Sequence, residues 1–262
     1  MREICIVGGD ARMDFAAHAL GAVGYNVTRA RQALPKDSCA LLLPVRSSAD
    51  SVHVSGTSIL LSEVADRAAQ GSTVIGGGLP EAICGFDYMK DEAFLYENAH
   101  LTAEGALMLL GSCTQGALFG MDIAVIGMGR IAECLCPLLR ALGAKVRVYA
   151  RRPEALARAR AMGAQTVCFS GKLPLSAAAH DAVCNTVPHV LYDKELLGHA
   201  RRDVLLVELA SAPGGFDTEA INNLDLTYVN GQGLPGKYAP RAAGELIASY
   251  AIEVLKGERM HE

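Results

Sequence analysis

The sequence has no apolar run long enough to cross a bilayer, which excludes a helical membrane span. It has no excess of positive charge: 24 Lys and Arg stand against 28 Asp and Glu, a formal net charge of −4. That balance points away from nucleic acid and from a membrane surface as partners. Its eight cysteines lack zinc or redox spacing. The closest pair, Cys134 and Cys136, falls in a helical pattern and points to different faces. The cysteines read as reduced, mostly buried small hydrophobes of a cytosolic protein, with a catalytic cysteine the lesser alternative. There is no low-complexity segment. A strand pattern, Glu3 to Val7, begins almost at the first residue, so no secretory signal is expected.

What is present is ample apolar material: 51% of 262 residues, enough for two modest domains. The most informative stretch is 122–152, DIAVIGMGRIAECLCPLLRALGAKVRVYARR. Asp122 to Gly127 is a β-branched run that reads as a buried strand. It ends in Gly127-Met128-Gly129-Arg130-Ile131-Ala132, a G-x-G-x-x-A turn. Apolar residues at Ile131, Leu135, Leu138, Leu139 and Leu142 then follow helical spacing, and Gly143 stands where a helix ends. Lys145 to Tyr149 is a second strand, completing one β-α-β unit.

Each residue type in the turn has a physical job. Gly127 permits the tight turn, and Gly129 leaves room for a pyrophosphate against the backbone. Ala132 lets the helix pack close to the strand. The helix start, at Arg130 and Ile131, offers amides and a positive dipole to phosphates. The spacing predicts a dinucleotide site. The second strand lacks the acid that would hold a ribose 2′-hydroxyl; Ala150-Arg151-Arg152 stands there instead. Two guanidinium groups suit a 2′-phosphate, which favours NADP over NAD. The alternative is a solvated pair ahead of a helix opening at Pro153. Pro137 falls inside the first helix and predicts a kink.

Along the chain, residues 1–98 read as a first α/β domain. Strands are expected at 4–7, 27–30, 40–45 and 73–76, with helices at 11–23 and 60–70. Residues 99–119 read as a long connecting helix. A nucleotide-binding domain spans 120–239, with strands near 165–169, 182–186, 204–209 and 227–230 after the first two. Six strands with short helices predict a doubly wound domain in the order 3-2-1-4-5-6. A final helix over 240–262 is expected to return toward the first domain.

Ligands of such sheets lie beyond the carboxyl ends of the strands. In the first domain that singles out Asp10, Arg12, Arg46 and Ser47; Arg12 and Arg46 suit a substrate carboxylate, or else are surface residues of loop tips. In the second it singles out Asn185, Thr186, Val187 and Pro188 beside the nicotinamide, with Ser211 and Gly231 along the crevice. Glu104 is read at the start of the long helix, where it either favours the dipole or serves as an acid or base near a cleft. His189 is a general-acid candidate or a plain loop histidine. Arg241 lies in the first turn of the last helix, where the dipole disfavours a cation, which hints at a bound anion.

Several longer stretches carry a resemblance: GGDAR (Gly8–Arg12), LLLPV (Leu41–Val45), TAEGALML (Thr102–Leu109), NTVP (Asn185–Pro188), ELASAPGGFD (Glu208–Asp217) and GQGLPGKYAPRAAGELI (Gly231–Ile247). With the VIGMGR turn they make the sequence resemble the dipicolinate synthase A-chain family over essentially its whole length. The resemblance implies a flavodoxin-like N-terminal parallel α/β domain and a Rossmann domain, as in formate and 2-hydroxyacid dehydrogenases. It implies NADP-dependent oxidation, with dehydration, of 4-hydroxy-tetrahydrodipicolinate to dipicolinic acid. It also implies a partner, the dipicolinate synthase B chain, and the cytoplasm of the sporulating mother cell; a homodimer is a further expectation. A dicarboxylate needs cationic and N–H partners. Arg12, Arg46, Lys237 and Arg241 are the cations, with Ser211, Gly214 and Gly215 as donors; Glu104 or His189 would protonate the leaving hydroxyl. Arg46 and Pro137 depart from the family pattern. Two rivals stand: another 2-hydroxyacid or shikimate-type dehydrogenase, though no Arg…Glu…His set has the usual spacing, and a non-catalytic NADP-binding scaffold for a catalytic partner.

Overall fold

The computed structural model describes residues 3–36, 40–114 and 116–257. The chain divides into two compact units: 1–98 together with 235–262, and 99–234.

The first unit holds a five-stranded parallel sheet. In chain order come β1 (Glu3–Val7), α1 (Ala11–Ala22), β2 (Asn26–Ala30), β3 (Ala40–Leu42), α2 (Leu61–Ala69), β4 (Val74–Gly76) and β5 (Phe86–Asp87). The spatial order is β2-β1-β3-β4-β5, the flavodoxin-like arrangement. β1 and β3 are central and almost wholly apolar, because helices cover both faces. β2 lies at the edge and leaves Asn26, Thr28 and Arg29 exposed. The two-residue β5 has too short an apolar run to be seen in sequence. It exists because Asp87 accepts the amides of Gly78, Leu79 and Met89, pinning the chain beside β4.

The last helix, α9 (Pro240–Lys256), lies in this same unit. It buries Ile247, Ala248, Ala251 and Val254 against Met13, Ala16 and Leu20 of α1. The close approach requires glycine at 244: a Cβ there would lie 2.3 Å from the carbonyl oxygen of Arg12.

The second unit is a six-stranded parallel sheet of β6 (Asp122–Ile126), β7 (Lys145–Ala150), β8 (Gln165–Cys168), β9 (Ala182–Asn185), β10 (Leu205–Glu208) and β11 (Thr227–Asn230). Their order is β11-β10-β9-β6-β7-β8, the doubly wound arrangement expected from the sequence. Its helices are α4 (Arg130–Ala141), α5 (Pro153–Ala161), α6 (Lys194–Leu197) and α7 (Thr218–Leu224), with a 3₁₀ turn at Leu175–Ala178. α4 buries Ala132, Leu135, Cys136 and Leu139; of the stripe expected from the spacing only Leu135 and Leu139 are buried, while Ile131 and Leu138 are half-buried and Leu142 is exposed. Pro137 lies within α4, which continues to Ala141.

Two helices straddle the division: α3 (Glu92–Cys113) and the short α8 (Leu234–Tyr238). α3 is displaced from the expected 99–119. Asp91 supplies the start, its carboxylate accepting the amide of Phe94 at 2.7 Å. The consequence for Glu104 is direct: it lies in the middle of a helix, away from the dipole-active first turn.

The cysteines also depart from expectation. Cys5, Cys136 and Cys184 are buried, but Cys84, Cys113 and Cys168 are exposed. Apolar flanks in the sequence did not reveal which face each thiol takes. Cys39 lies outside the described residues.

Candidate functional site

The glycine turn between β6 and α4 is built as its residue types demand. Gly127 has φ of 92°, in the left-handed region, and donates its amide to the carbonyl of Tyr149 at 2.8 Å. A side chain there would also collide with the next strand's turn: a Cβ would lie 2.7 Å from Thr186 Oγ1 and 2.8 Å from Val187 Cγ2. Thr186 is held in turn, donating its hydroxyl and amide to the carbonyl of Ile126 at 2.7 and 3.0 Å. The two turns at the carboxyl ends of β6 and β9 are thus locked together.

Gly129 differs. Its backbone is extended and nothing lies within 4 Å of where a Cβ would stand. It is the N-cap of α4 and no side chain caps the helix. The first intrahelical bond runs from Glu133 to the carbonyl of Gly129 at 2.9 Å, so the preceding amides of Ile131 and Ala132 have no carbonyl behind them in the helix. An open glycine, uncapped amides and a helix dipole fit a pyrophosphate.

Beside this turn is a cavity of about 410 Å³ lined by Gly127, Met128, Ala150, Arg151, Arg152 and Val187, among others. Its walls come from the carboxyl ends of β6, β7 and β9. Arg151 and Arg152 are exposed at its rim, and no carboxylate stands among its lining residues. The cavity therefore suits a dinucleotide, with its cationic end at β7. Arg158, which sequence reasoning missed, braces the turn from α5. It pairs with Glu133 at 2.7 Å and donates to the carbonyl of Met128 at 3.2 Å.

Behind the cavity, His180 is buried between Asp122 (3.0 Å, through Nδ1) and the hydroxyl of Tyr149 (2.9 Å, through Nε2). Its partners are 58 and 31 residues away in sequence, so no local pattern announced it.

At the ends of β9 and β10 the structure places a second network. Asn185 is fully buried; its amide donates to the carbonyl of Val187 (2.9 Å) and to Glu208 Oε1 (2.7 Å), while its oxygen accepts the amide of Val187 (3.2 Å). This fixes the Asn185–Pro188 turn. Glu208 also accepts the amides of Ala210 (2.9 Å) and Gly215 (2.6 Å). Burial pushes its pKa up, against the pull of these donors. Glu208 was seen in sequence only as part of a motif; an acid inside the apolar run LLVEL was the available signal.

The remaining expected site residues fall as follows. Arg12, Arg46, Lys237 and Arg241 lie in the first unit; Glu104, Ser211, Gly214, Gly215 and His189 lie in the second. Arg12 is not an open cation. It grips Asp10 with Nε at 2.9 Å and Nη2 at 2.6 Å, and this pairing lowers the Asp10 pKa. Asp10 also caps α1 through the amide of Arg12. Arg12 passes over Gly236 of α8, where a Cβ would lie 3.1 Å from its Nε. Arg46 and Lys237 are exposed. Arg241 stands over the ring of Phe15, 5.7 Å from its centroid.

The amides of Gly214 and Gly215, expected as substrate donors, are both engaged within the protein. Gly214 donates to the carbonyl of Ser211 at 2.9 Å and Gly215 to Glu208. Ser211 is exposed. Glu104 is exposed and pairs with His100 at 3.3 Å, one helical turn away, and its place in mid-helix removes the dipole reading. His189 is exposed in the loop after β9, where its amide donates to the carbonyl of Val187.

Comparison with known proteins agrees with this geometry. Residues 102–223 match the NAD-binding domain of the D-isomer specific 2-hydroxyacid dehydrogenases. The sequence is 32% identical over 169 residues to the A chain of dipicolinate synthase from Bacillus subtilis (strain 168). That match covers 64% of this protein and 56% of the relative, so it spans little more than half of the relative's length. In fold the protein is similar to the crystal structure of the dipicolinate synthase A chain from Bacillus subtilis, with a TM-score of 0.84 at 23% identity over 98% of each chain. It is also similar to D-lactate dehydrogenase from Escherichia coli, with a TM-score of 0.63 at 12% identity over 98% of each chain. The resemblance drawn from the motifs is thus found in sequence and in fold. No helix among the described residues is long and apolar enough to cross a membrane.

Proposed function

We propose that this protein, similar to the dipicolinate synthase A chain, oxidises 4-hydroxy-tetrahydrodipicolinate with loss of water to dipicolinic acid, using NADP. The observation that carries the cofactor choice is the end of β7: Ala150-Arg151-Arg152 rims the cavity beside the glycine turn, with no carboxylate for a free ribose hydroxyl. NADP, when bound, accepts the hydride; the protein binds and orients both reactants. The amides of Ile131 and Ala132, with the open backbone at Gly129, hold the pyrophosphate, and Arg130 lies at the same helix start. Arg151 and Arg152 hold the 2′-phosphate. The Asn185–Pro188 turn, fixed by Asn185 and by the hydroxyl of Thr186, forms the wall for the nicotinamide.

A dicarboxylate substrate needs cations. Arg46, Lys237 and Arg241 are the exposed candidates of the first unit. Arg12 keeps further N–H groups beyond those given to Asp10, and Ser211 adds a hydroxyl. His189, exposed beyond the nicotinamide turn, is the proton donor for the leaving hydroxyl. A partner similar to the dipicolinate synthase B chain completes the enzyme.

A second reading, oxidation of a 2-hydroxy acid, draws on the family match over residues 102–223. Calorimetry separates the two. With NADP present, the protein is expected to bind pyridine-2,6-dicarboxylate and not D-lactate. Binding of D-lactate alone would replace the first reading with the second.

A further inference from the structure

Glu208 closes β10 with only 2% of its surface exposed. All of its hydrogen-bond partners are N–H donors: Asn185, Ala210 and Gly215. The orientation of Asn185 is fixed independently, because its amide must donate to the carbonyl of Val187. A side chain that only accepts is an ionised carboxylate. Among the described residues it forms no salt bridge with Lys, Arg or His, so this is a buried charge without a counter-cation. The fold makes room for it closely. A Cβ at Gly214 would lie 2.7 Å from Glu208 Oε2, and one at Gly215 would lie 2.3 Å from Asn185 Nδ2.

Holding these loops does not by itself demand a charge. Burying an unpaired charge is costly, and neutral acceptors can receive amide hydrogen bonds. A charge kept under those conditions is a candidate functional group. Its place gives the use. β9, β10 and β11 form the second mononucleotide half of the doubly wound sheet, the half that takes the nicotinamide end of a dinucleotide. The oxidised nicotinamide ring carries a positive charge that reduction removes. A fixed negative charge in a dry, low-dielectric wall favours the cation over the neutral ring.

We propose that the buried carboxylate of Glu208 makes the site bind the oxidised form of the nicotinamide cofactor in preference to the reduced form. The proposal rests on the nicotinamide reading of the site given above. It makes Glu208 a positioning and electrostatic residue, acting through the Asn185–Pro188 turn that Asn185 holds in place.

The test is the ratio of dissociation constants for NADP and NADPH, measured by calorimetry on the full-length protein, its Glu208→Gln variant and its Glu208→Asp variant. The Gln variant is expected to shift the ratio about tenfold toward NADPH, which corresponds to about 1.4 kcal/mol. The Asp variant, which keeps the charge, is expected to hold the wild-type ratio even if both affinities fall. A purely structural role would weaken both forms equally in both variants, and an unchanged ratio in the Gln variant overturns the proposal. Should that variant not fold, the wild type serves. Burial raises the Glu208 pKa, so lowering the pH from neutrality should protonate it and erase the preference for NADP. The groups facing it are the amides of Asn185, Ala210 and Gly215 and, as the titratable neighbour, Tyr228 on β11. A pH-independent ratio overturns the proposal equally. A wild type that binds neither form would overturn the nicotinamide reading itself, a result distinct from binding with an unchanged ratio.

Discussion

Gly129→Ala should separate binding from stability. Gly129 has an extended backbone that alanine adopts without strain, and its missing Cβ would meet nothing within 4 Å. The folded protein therefore has no clash to relieve. The one structural loss is at the helix start, where alanine is a poorer N-cap than glycine, about 0.5–1 kcal/mol. Cofactor binding should suffer far more, because the added methyl occupies the space a pyrophosphate needs against the backbone. A tenfold loss of affinity corresponds to about 1.4 kcal/mol, and a methyl in direct contact with phosphate oxygens should exceed that. The assay is urea unfolding with and without NADP. At 100 times the dissociation constant, bound ligand adds about 2.7 kcal/mol to wild-type stability. The variant should unfold near the wild-type midpoint without ligand and gain almost nothing from it. Gly127→Ala is the control of opposite sign. It places alanine at φ of 92° and a Cβ 2.7 Å from Thr186 Oγ1. Strain of about 1–2 kcal/mol and overpacking of about 1–3 kcal/mol add there. If Gly129→Ala kept the full ligand-induced stabilisation, the phosphate would not bind at this turn.

Arg151→Ala should lower NADP affinity much more than NAD affinity; equal losses would remove the argument for 2′-phosphate recognition. Arg241→Ala should weaken binding of the dicarboxylate while NADP affinity holds. Its stability cost should be no more than about 0.5–1 kcal/mol, the worth of an exposed cation over Phe15. Loss of NADP affinity instead would contradict its assignment. Thiol labelling of the native protein, mapped by mass spectrometry, should modify Cys84, Cys113 and Cys168 and spare Cys136 and Cys184. Burial raises the last two thiols to about 12, so almost no thiolate forms at neutral pH. For Asp10, the pairing with Arg12 holds the folded pKa below 3.8. Its stabilisation is present above that value and is lost as pH falls through the lowered folded pKa. Asp10→Asn should cost under about 1 kcal/mol at neutral pH, since the pair is partly exposed, and the difference should vanish in strong acid.

How far the sequence could be read depended on the range of the interaction. The strands of the second unit were legible because β6 is an apolar run rich in Ile and Val, β7 alternates Val146 and Val148 with polar or aromatic residues, and each ends in a glycine or charged punctuation. The parallel, doubly wound order then followed from alternation of strands and helices. The turn Gly127–Ala132 carried its chemistry in its own spacing. Elsewhere a local signal was overlooked or a distant contact decided the outcome. α3 begins at Glu92 because Asp91 caps it, and so Glu104 fell in mid-helix. Gly214 and Gly215 looked like donors, but one amide closes a local turn and the other serves a carboxylate at the end of β10. Glu208 itself was hidden because its partner Asn185 is 23 residues away. The pairing of Arg12 with Asp10 spans two residues and was available in sequence. It was missed because a cation at a strand end was read for what it could bind outside the protein.

The account's central claim is tested most directly by stoichiometry. The protein, NADP and the hydroxy-tetrahydrodipicolinate generated in place by its synthase would be followed at the NADPH and pyridine dicarboxylate absorbance bands together, with and without a partner of the dipicolinate synthase B-chain type. The account predicts that both bands rise together, one NADPH for each dipicolinate, at least when that partner is present. Dipicolinate formed without NADPH, or no rise of either band while NADP remains bound, would contradict it.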